Sequence, residues 1–250
     1  MAKKSDYIAV FDSGVGGISV LKELLAQMPG ENYLYFGDSA NAPYGEKTTE
    51  QVRQLTLAAA EKLLARGVKA LVIACNTATA AAITALRETY PDTIVVGIEP
   101  ALKVAADRFP GKHIGVMATP VTLREEKFAR QLQRFEHVTV TPIPVTGLVE
   151  LIEEGAEKSQ IDHVLHDCLA PYVGKLDAVV LGCTHYPFAA KEIQKILGEK
   201  TVLLDGSIGT AAQTRRLLEN ANLLLEGEGS ITIENSTSDP DILRRCRDLL

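Results

Sequence analysis

Residues 71–81 read LVIACNTATAA, and residues 179–190 read VVLGCTHYPFAA. Each is an apolar run that breaks at a cysteine and continues into a segment with helical character. Hydroxyl or amide residues follow both cysteines directly: Asn76 and Thr77 after Cys75, Thr184 after Cys183. Continuous apolar runs of this length read as strands covered on both faces, as in a parallel sheet flanked by helices. The same strand–cysteine–helix object therefore occurs twice, 108 positions apart.

Working outward, strand and helix patterns alternate along the chain. Strands are predicted over 7–11, 32–37, 69–75 and 93–98, and helices over 18–28, 48–67 and 77–90. Thr48 and Gln51 have capping-box spacing at the start of the second helix, Gly67 ends it, and Pro91 stops the third. The second half repeats the plan, with strands over 113–119, 137–143, 176–183 and 200–205 and helices over 121–135, 162–173 and 187–197. Pro171 should end or kink the helix it sits in, whereas Pro187 fits a first helical turn. The tail reads as a helix over 207–225, a Gly-rich turn, a strand ITIEN and a last helical piece. Alternation at this rhythm predicts an α/β fold with parallel sheets. IAVFDS (8–13) aligns with IGVMAT (114–119) at an offset of 106, close to the offset of the two cysteines. An internal duplication follows, giving two similar α/β domains, with IEPALKVAAD (98–107) as the crossover.

Composition narrows the function. The 250 residues are 46% hydrophobic, enough for a substantial core, and the formal net charge is -6. Mixed charge of this sign gives no reason to expect nucleic-acid or membrane-surface partners. MAKKSDY carries no export signal, and no apolar run reaches the roughly 20 residues that span a bilayer. The four cysteines, Cys75, Cys168, Cys183 and Cys246, show neither a C-x-x-C pair nor paired histidine spacing, which argues against zinc. Free thiols in a reducing cytoplasm are the expectation. Exposed helices offer surfaces on which two copies could pair as a homodimer.

Ligands of open α/β sheets collect at the carboxyl ends of the strands. A helix N-terminus there offers free N–H groups and favours a thiolate. Cys75 and Cys183 both occupy such positions, while Cys168 and Cys246 lie inside helical patterns and read as core. FDSGVGG (11–17) follows a strand, but a dinucleotide fingerprint would want glycine where Ser19 stands. Asp38 could mimic its ribose-binding acid, yet Asp12 just before the glycines would repel a pyrophosphate. The alternatives are a tight turn, or glycines that let backbone approach a small ligand beside Asp12 and Ser13. GDSANAPYGEK (37–47) is a polar loop after the second strand, carrying Tyr44 and Gly45. His185, two residues after Cys183, is a candidate proton partner, and Glu150 reads as a solvated helix acid. Two thiols on opposite sides of one carbon suit inversion of a stereocentre: one removes a proton while the other delivers one.

VFDSGVGGISVL, NAPYG, ACNTATA and LGCTHYP, in this order, closely resemble the motifs of the glutamate racemases, bacterial members of the cofactor-independent aspartate/glutamate racemases. The resemblance runs from about residue 7 to about residue 215. It implies two α/β domains with the active site in the cleft between them. The first would be discontinuous, 1–98 plus 208–250, and the second would span 99–207. It implies interconversion of L- and D-glutamate for peptidoglycan synthesis, without pyridoxal phosphate or metal. Carried onto this sequence, Cys75 and Cys183 are the acid/base pair, and Asp12 and His185 assist proton transfer or tune the thiols. Ser13, Tyr44, Gly45, Asn76, Thr77 and Thr184, with Asp12 and His185, line the substrate site, and Thr119 joins them by its place in the second-half AT turn. A racemase of aspartate or another small acid, and a two-lobed small-molecule binding protein, are the alternative readings.

Overall fold

The computed structural model describes residues 2–98, 101–124, 126–135, 137–237 and 239–250. They form two compact units: residues 1–99 with 207–250, and residues 100–206. Glu99 and Pro100, near the start of the expected crossover, lie outside the described residues.

In chain order, the first unit opens with β1 (Tyr7–Asp12), α1 (Ile18–Gln27), β2 (Asn32–Gly37), α2 (Thr49–Leu64), β3 (Val68–Ile73), α3 (Asn76–Thr89) and β4 (Ile94–Gly97). The second unit holds α4 (Leu102–Arg108), β5 (His113–Ala118), α5 (Pro120–Arg124), α6 (Glu126–Gln133), β6 (Thr139–Pro144), α7 (Leu148–Glu154), α8 (Lys158–Leu169), β7 (Ala178–Leu181), α9 (Ala190–Leu197) and β8 (Val202–Leu204). The chain then returns to the first unit with α10 (Ser207–Asn220), β9 (Ser230–Asn235) and α11 (Pro240–Leu249).

Every strand pairing is parallel. The first sheet runs β4-β3-β1-β2-β9 and the second β6-β5-β7-β8. Read from its other edge, the second is β8-β7-β5-β6, which is the order β4-β3-β1-β2 of the first with each strand replaced by its sequence counterpart. The duplication is thus architectural, and β9 is an addition peculiar to the first sheet. The pleat alternates burial to both faces: Ala9 and Phe11 of β1 join Leu71 and Ile73 of β3 in one core, under α2 and α3. Ile8 and Val10 point to the opposite face and are also fully buried. In the second sheet Met117, Val179 and Leu181 face one core, and Ile114, Val116, Ala178 and Val180 the other.

Local chemistry sets the element ends. Thr48 and Gln51 form the expected capping box at α2, each side chain reaching the other's backbone. The tail helix stops at Asn220 rather than running to residue 225. Asn222 takes a left-handed φ of 54°, and the Leu223 N–H bonds back to the Leu218 carbonyl, closing the helix. The helix expected over 187–197 begins only at Ala190. Tyr186–Ala189 form a 3-10 turn instead, in which the Tyr186 and Phe188 N–H groups bond three residues back to Cys183 and His185. Pro187 has no N–H to give the Cys183 carbonyl four residues back, so no α-turn starts at Cys183. In the expected helix 121–135, Glu125 lies outside the described residues.

One charged contact pins four stretches of the first unit together. Lys69, at the start of β3, and Glu31, before β2, form an ion pair with both side chains essentially excluded from solvent. The Lys69 ammonium also donates to the carbonyls of Lys4 and Leu223, and the Glu31 carboxylate accepts from the Leu225 N–H. Breaking such a pair leaves an uncompensated buried charge. Lys69→Met should therefore cost about 3 kcal/mol in urea unfolding, and Lys69→Met with Glu31→Leu should recover most of it. A loss within about 0.5 kcal/mol for the single variant, the range of inert surface substitutions, would contradict this role.

Candidate active site

In the first unit, Cys75 is the N-cap of α3, in extended backbone conformation two residues past the end of β3. Its Sγ accepts the Ala78 N–H at 3.4 Å, and the Ser13 hydroxyl lies 3.4 Å from the same sulfur. Both contacts suit a thiolate acceptor. Ser13 arrives there because β1 and β3 are neighbours in register, with Phe11 opposite Ile73. Asp12, at the end of β1, is fully buried and accepts the Gly14 N–H at 3.0 Å. A Cβ on Gly17 would fall 2.5 Å from the Asp12 Cβ, so the space left by that glycine is used by the protein's own carboxylate.

Asn76 and Thr77 form the first turn of α3. The Asn76 side chain is buried, and its Oδ1 has no hydrogen-bond partner among the described residues. Such an acceptor is costly unless a ligand or a water supplies the donor. Tyr44 is buried and opens a 3-10 turn that includes the half-buried Gly45. Its hydroxyl donates to Asp38 at 2.7 Å, and Asn41 donates to the same carboxylate at 3.0 Å. Asp38 is therefore committed to its own loop and is not presented as a ribose-binding acid. Burial, the bond to Asp38, and the nearby charges of Asp38, Cys75 and Asp12 all push the Tyr44 pKa upward, so its proton stays on. Tyr44 also packs in the buried cluster that holds Cys75 and Phe11.

In the second unit, Cys183 follows β7 by two residues, as Cys75 follows β3. The Gly182 N–H bonds to Met117 of β5 at 2.7 Å, and the corresponding Ala74 N–H bonds to Phe11 of β1 at 2.8 Å. The environments then diverge. Cys183 does not cap an α-helix, because the 3-10 turn intervenes; its sulfur lies 3.6 Å from Nδ1 of His185. His185 is buried, and its Nε2 lies 2.6 Å from Oε1 of Glu153 on α7. Burial opposes the charged ring, but the bonds to Cys183 and Glu153 outweigh it and hold the His185 pKa well above its ordinary value. Thr184, between the two, is also buried. Thr119 leaves β5 beside Cys183; its Oγ1 lies 3.0 Å from the Thr122 hydroxyl and accepts the Thr122 N–H at 3.4 Å.

The structure thus gathers Asp12, Ser13, Tyr44, Gly45, Cys75, Asn76 and Thr77 at strand ends and loops of the first unit. Thr119, Cys183, Thr184 and His185 sit at strand ends of the second. Glu153 was missed. Glu150 was considered instead and is exposed, one turn away on the same helix. No signal in LVELIEE separates the two acids, because the helical period turns Leu148 and Ile152 inward and neither glutamate. Cys168 donates its thiol to the Leu165 carbonyl, and burial pushes its pKa up to about 11. Cys246 is fully buried on α11.

Residues 12–214, which include both strand-end thiols, match the model of the Asp/Glu/Hydantoin racemase family. The chain belongs to this family. It is accordingly an isomerase, and its two parallel-sheet regions match those of solved relatives. It is 47% identical over 252 residues to the glutamate racemase of Clostridium perfringens, covering 99% of this chain and 97% of that one. The crystal structure of glutamate racemase from Thermus thermophilus in complex with beta-chloro-D-alanine superposes with a TM-score of 0.84 at 36% identity, covering 99% of this chain and 93% of the other. The enzyme from Francisella tularensis in complex with D-glutamate gives a TM-score of 0.85 at 29% identity, covering 99% and 94%.

The raised pKa of His185 has a definite sign. A histidine that holds its proton more tightly when folded contributes stability fully below about pH 6.5, its unfolded value, and loses that contribution as pH rises through the higher folded value. In an NMR titration the His185 ring should stay protonated through pH 6.5, and Glu153→Gln should move its midpoint down. A wild-type midpoint at or below 6.5 would contradict the pairing.

Proposed function

We propose that this chain interconverts L- and D-glutamate without a cofactor, using Cys75 and Cys183 as paired acid and base. The observation that carries this reading is the repeated placement of a thiol at the carboxyl end of equivalent strands in two sheets of equivalent order. Each thiol has its own proton or hydrogen-bond partner: Ser13 and the α3 terminus for Cys75, His185 backed by Glu153 for Cys183. A relative named glutamate racemase at 47% identity favours glutamate over a smaller acid.

In the proposed step one thiolate takes the α-hydrogen as a proton, and the C–H electron pair stays on the α-carbon, delocalised into the carboxylate. The other thiol then gives its S–H proton to the opposite face and is left as thiolate. The two sulfurs have exchanged protonation states, and the reverse reaction restores them. No electrons are transferred to another group. The α-hydrogen of an amino acid is weakly acidic, so the developing charge needs preorganised donors. Asn76, Thr77, Ser13, Thr184 and Thr119 supply N–H and O–H groups around the substrate in this reading, with Tyr44 and Gly45 lining it. Asp12 assists proton transfer at Cys75. His185, held as imidazolium by Glu153, assists at Cys183. The D-glutamate formed would supply peptidoglycan synthesis.

Cys75→Ser and Cys183→Ser should each lower kcat for glutamate by at least about 100-fold, because a positioned acid or base contributes that much and serine is a far poorer one. Circular dichroism at the substrate's wavelength reads racemisation, and protein melts confirm that the fold persists. In heavy water the wild-type protein should place deuterium at the α-carbon of glutamate. Unchanged turnover in either serine variant would remove that residue from the mechanism.

A further inference from the structure

β9 lies outside the residues that match the family model, yet its end is bonded to the loop that carries Tyr44. The Asn235 side-chain amide donates to the Ser39 hydroxyl at 2.9 Å. The Ser236 hydroxyl accepts the Ala40 N–H at 2.9 Å, and the Ser236 N–H donates to the Gly37 carbonyl at 2.9 Å. Asn235 is itself fixed, because its Oδ1 accepts from both the N–H and the hydroxyl of Thr237 at 2.9 Å. On the loop's other side Asp38 bonds Asn41 and Tyr44, and the Asp38 N–H bonds the Asp12 carbonyl at 2.9 Å. The loop 38–46 is therefore clamped between the carboxyl end of β1 and the carboxyl end of β9. Loop segments without a sheet or helix ladder of their own are the ones that loosen first when the bonds holding them are removed.

We infer that Asn235 and Ser236 are positioning residues for substrate binding: they hold residues 39–41 so that Tyr44 and Gly45 keep their place beside Cys75. They touch no reacting atom, and their effect passes through the loop. This gives the returning tail a task beyond extending the sheet, and it rests on the proposed glutamate reaction. Losing such a clamp leaves the acid/base pair in place but lets the binding loop explore other conformations. Ground-state binding then weakens while the chemical step is kept.

The test compares the full-length wild-type chain with Asn235→Ala, Ser236→Ala and Glu234→Gln. Glu234, next to Asn235, anchors the strand through its paired bonds to Arg66 on the surface and does not touch the loop. Hydrogen exchange of peptides covering 38–47 reads the clamp without reference to activity. Glutamate kinetics read its consequence. Asn235→Ala and Ser236→Ala should speed exchange across the loop and raise KM about fivefold each, the order expected for one lost hydrogen bond, with kcat within about twofold. Glu234→Gln should leave both unchanged. Unchanged loop exchange in the first two variants would overturn the clamp. Faster exchange with an unchanged KM, or an equal KM rise in Glu234→Gln, would overturn its role in positioning. A wild-type protein that fails to turn over glutamate would instead sink the proposed reaction, while the exchange data would still report on the clamp.

Discussion

A parallel strand buried on both faces has no freedom until its carboxyl end, and this constraint places the chemistry of the chain. The interiors of β1, β3, β5 and β7 are almost wholly apolar and excluded from solvent. Apart from Lys69, near the amino end of β3 and paired with Glu31, the buried polar side chains of these strands gather where the backbone leaves the sheet. Neighbouring strands end at one level, so Asp12 and Ser13 emerge beside Cys75, and Thr119 emerges beside Cys183. Helix termini and tight turns then supply the N–H groups and partners that a buried polar atom requires.

The duplication gives two copies of this arrangement without making them identical. Cys75 meets an α-helix terminus and a hydroxyl, which are fixed dipoles. Cys183 meets a histidine that carries a proton, itself set by a carboxylate. Pro187 is the local cause of the difference. It has no N–H to give the Cys183 carbonyl, the bond that the Thr79 N–H makes to the Cys75 carbonyl, and a 3-10 turn follows His185 instead. In the proposed reaction, two bases of different surroundings suit substrates that are mirror images bound by groups that are not.

Much of this was legible in the sequence. Strand runs such as KALVIAC and LDAVVLGC, the Thr48–Gln51 capping box and the offset between IAVFDS and IGVMAT all report short-range rules of burial and periodicity. The two thiols were legible because each stands where an apolar run breaks. What was not legible depends on long-range pairing. Glu153 and His185 are 32 residues apart, and nothing in LVELIEE marks Glu153 over Glu150. The pairing of Lys69 with Glu31 needs β2 and β3 to flank β1, and the bond from Asn235 to Ser39 needs β9 to dock on β2. Asp38 looked like a ligand-binding acid from its spacing alone, whereas Tyr44 and Asn41 claim its carboxylate.

The most direct measurement is a crystal structure of the wild-type protein with glutamate bound. The proposed two-base reaction requires Sγ of Cys75 and Sγ of Cys183 on opposite faces of the α-carbon, each near the roughly 3–3.5 Å approach of reacting atoms. Glutamate bound with both sulfurs on one face, or with either one remote from the α-carbon, would contradict it.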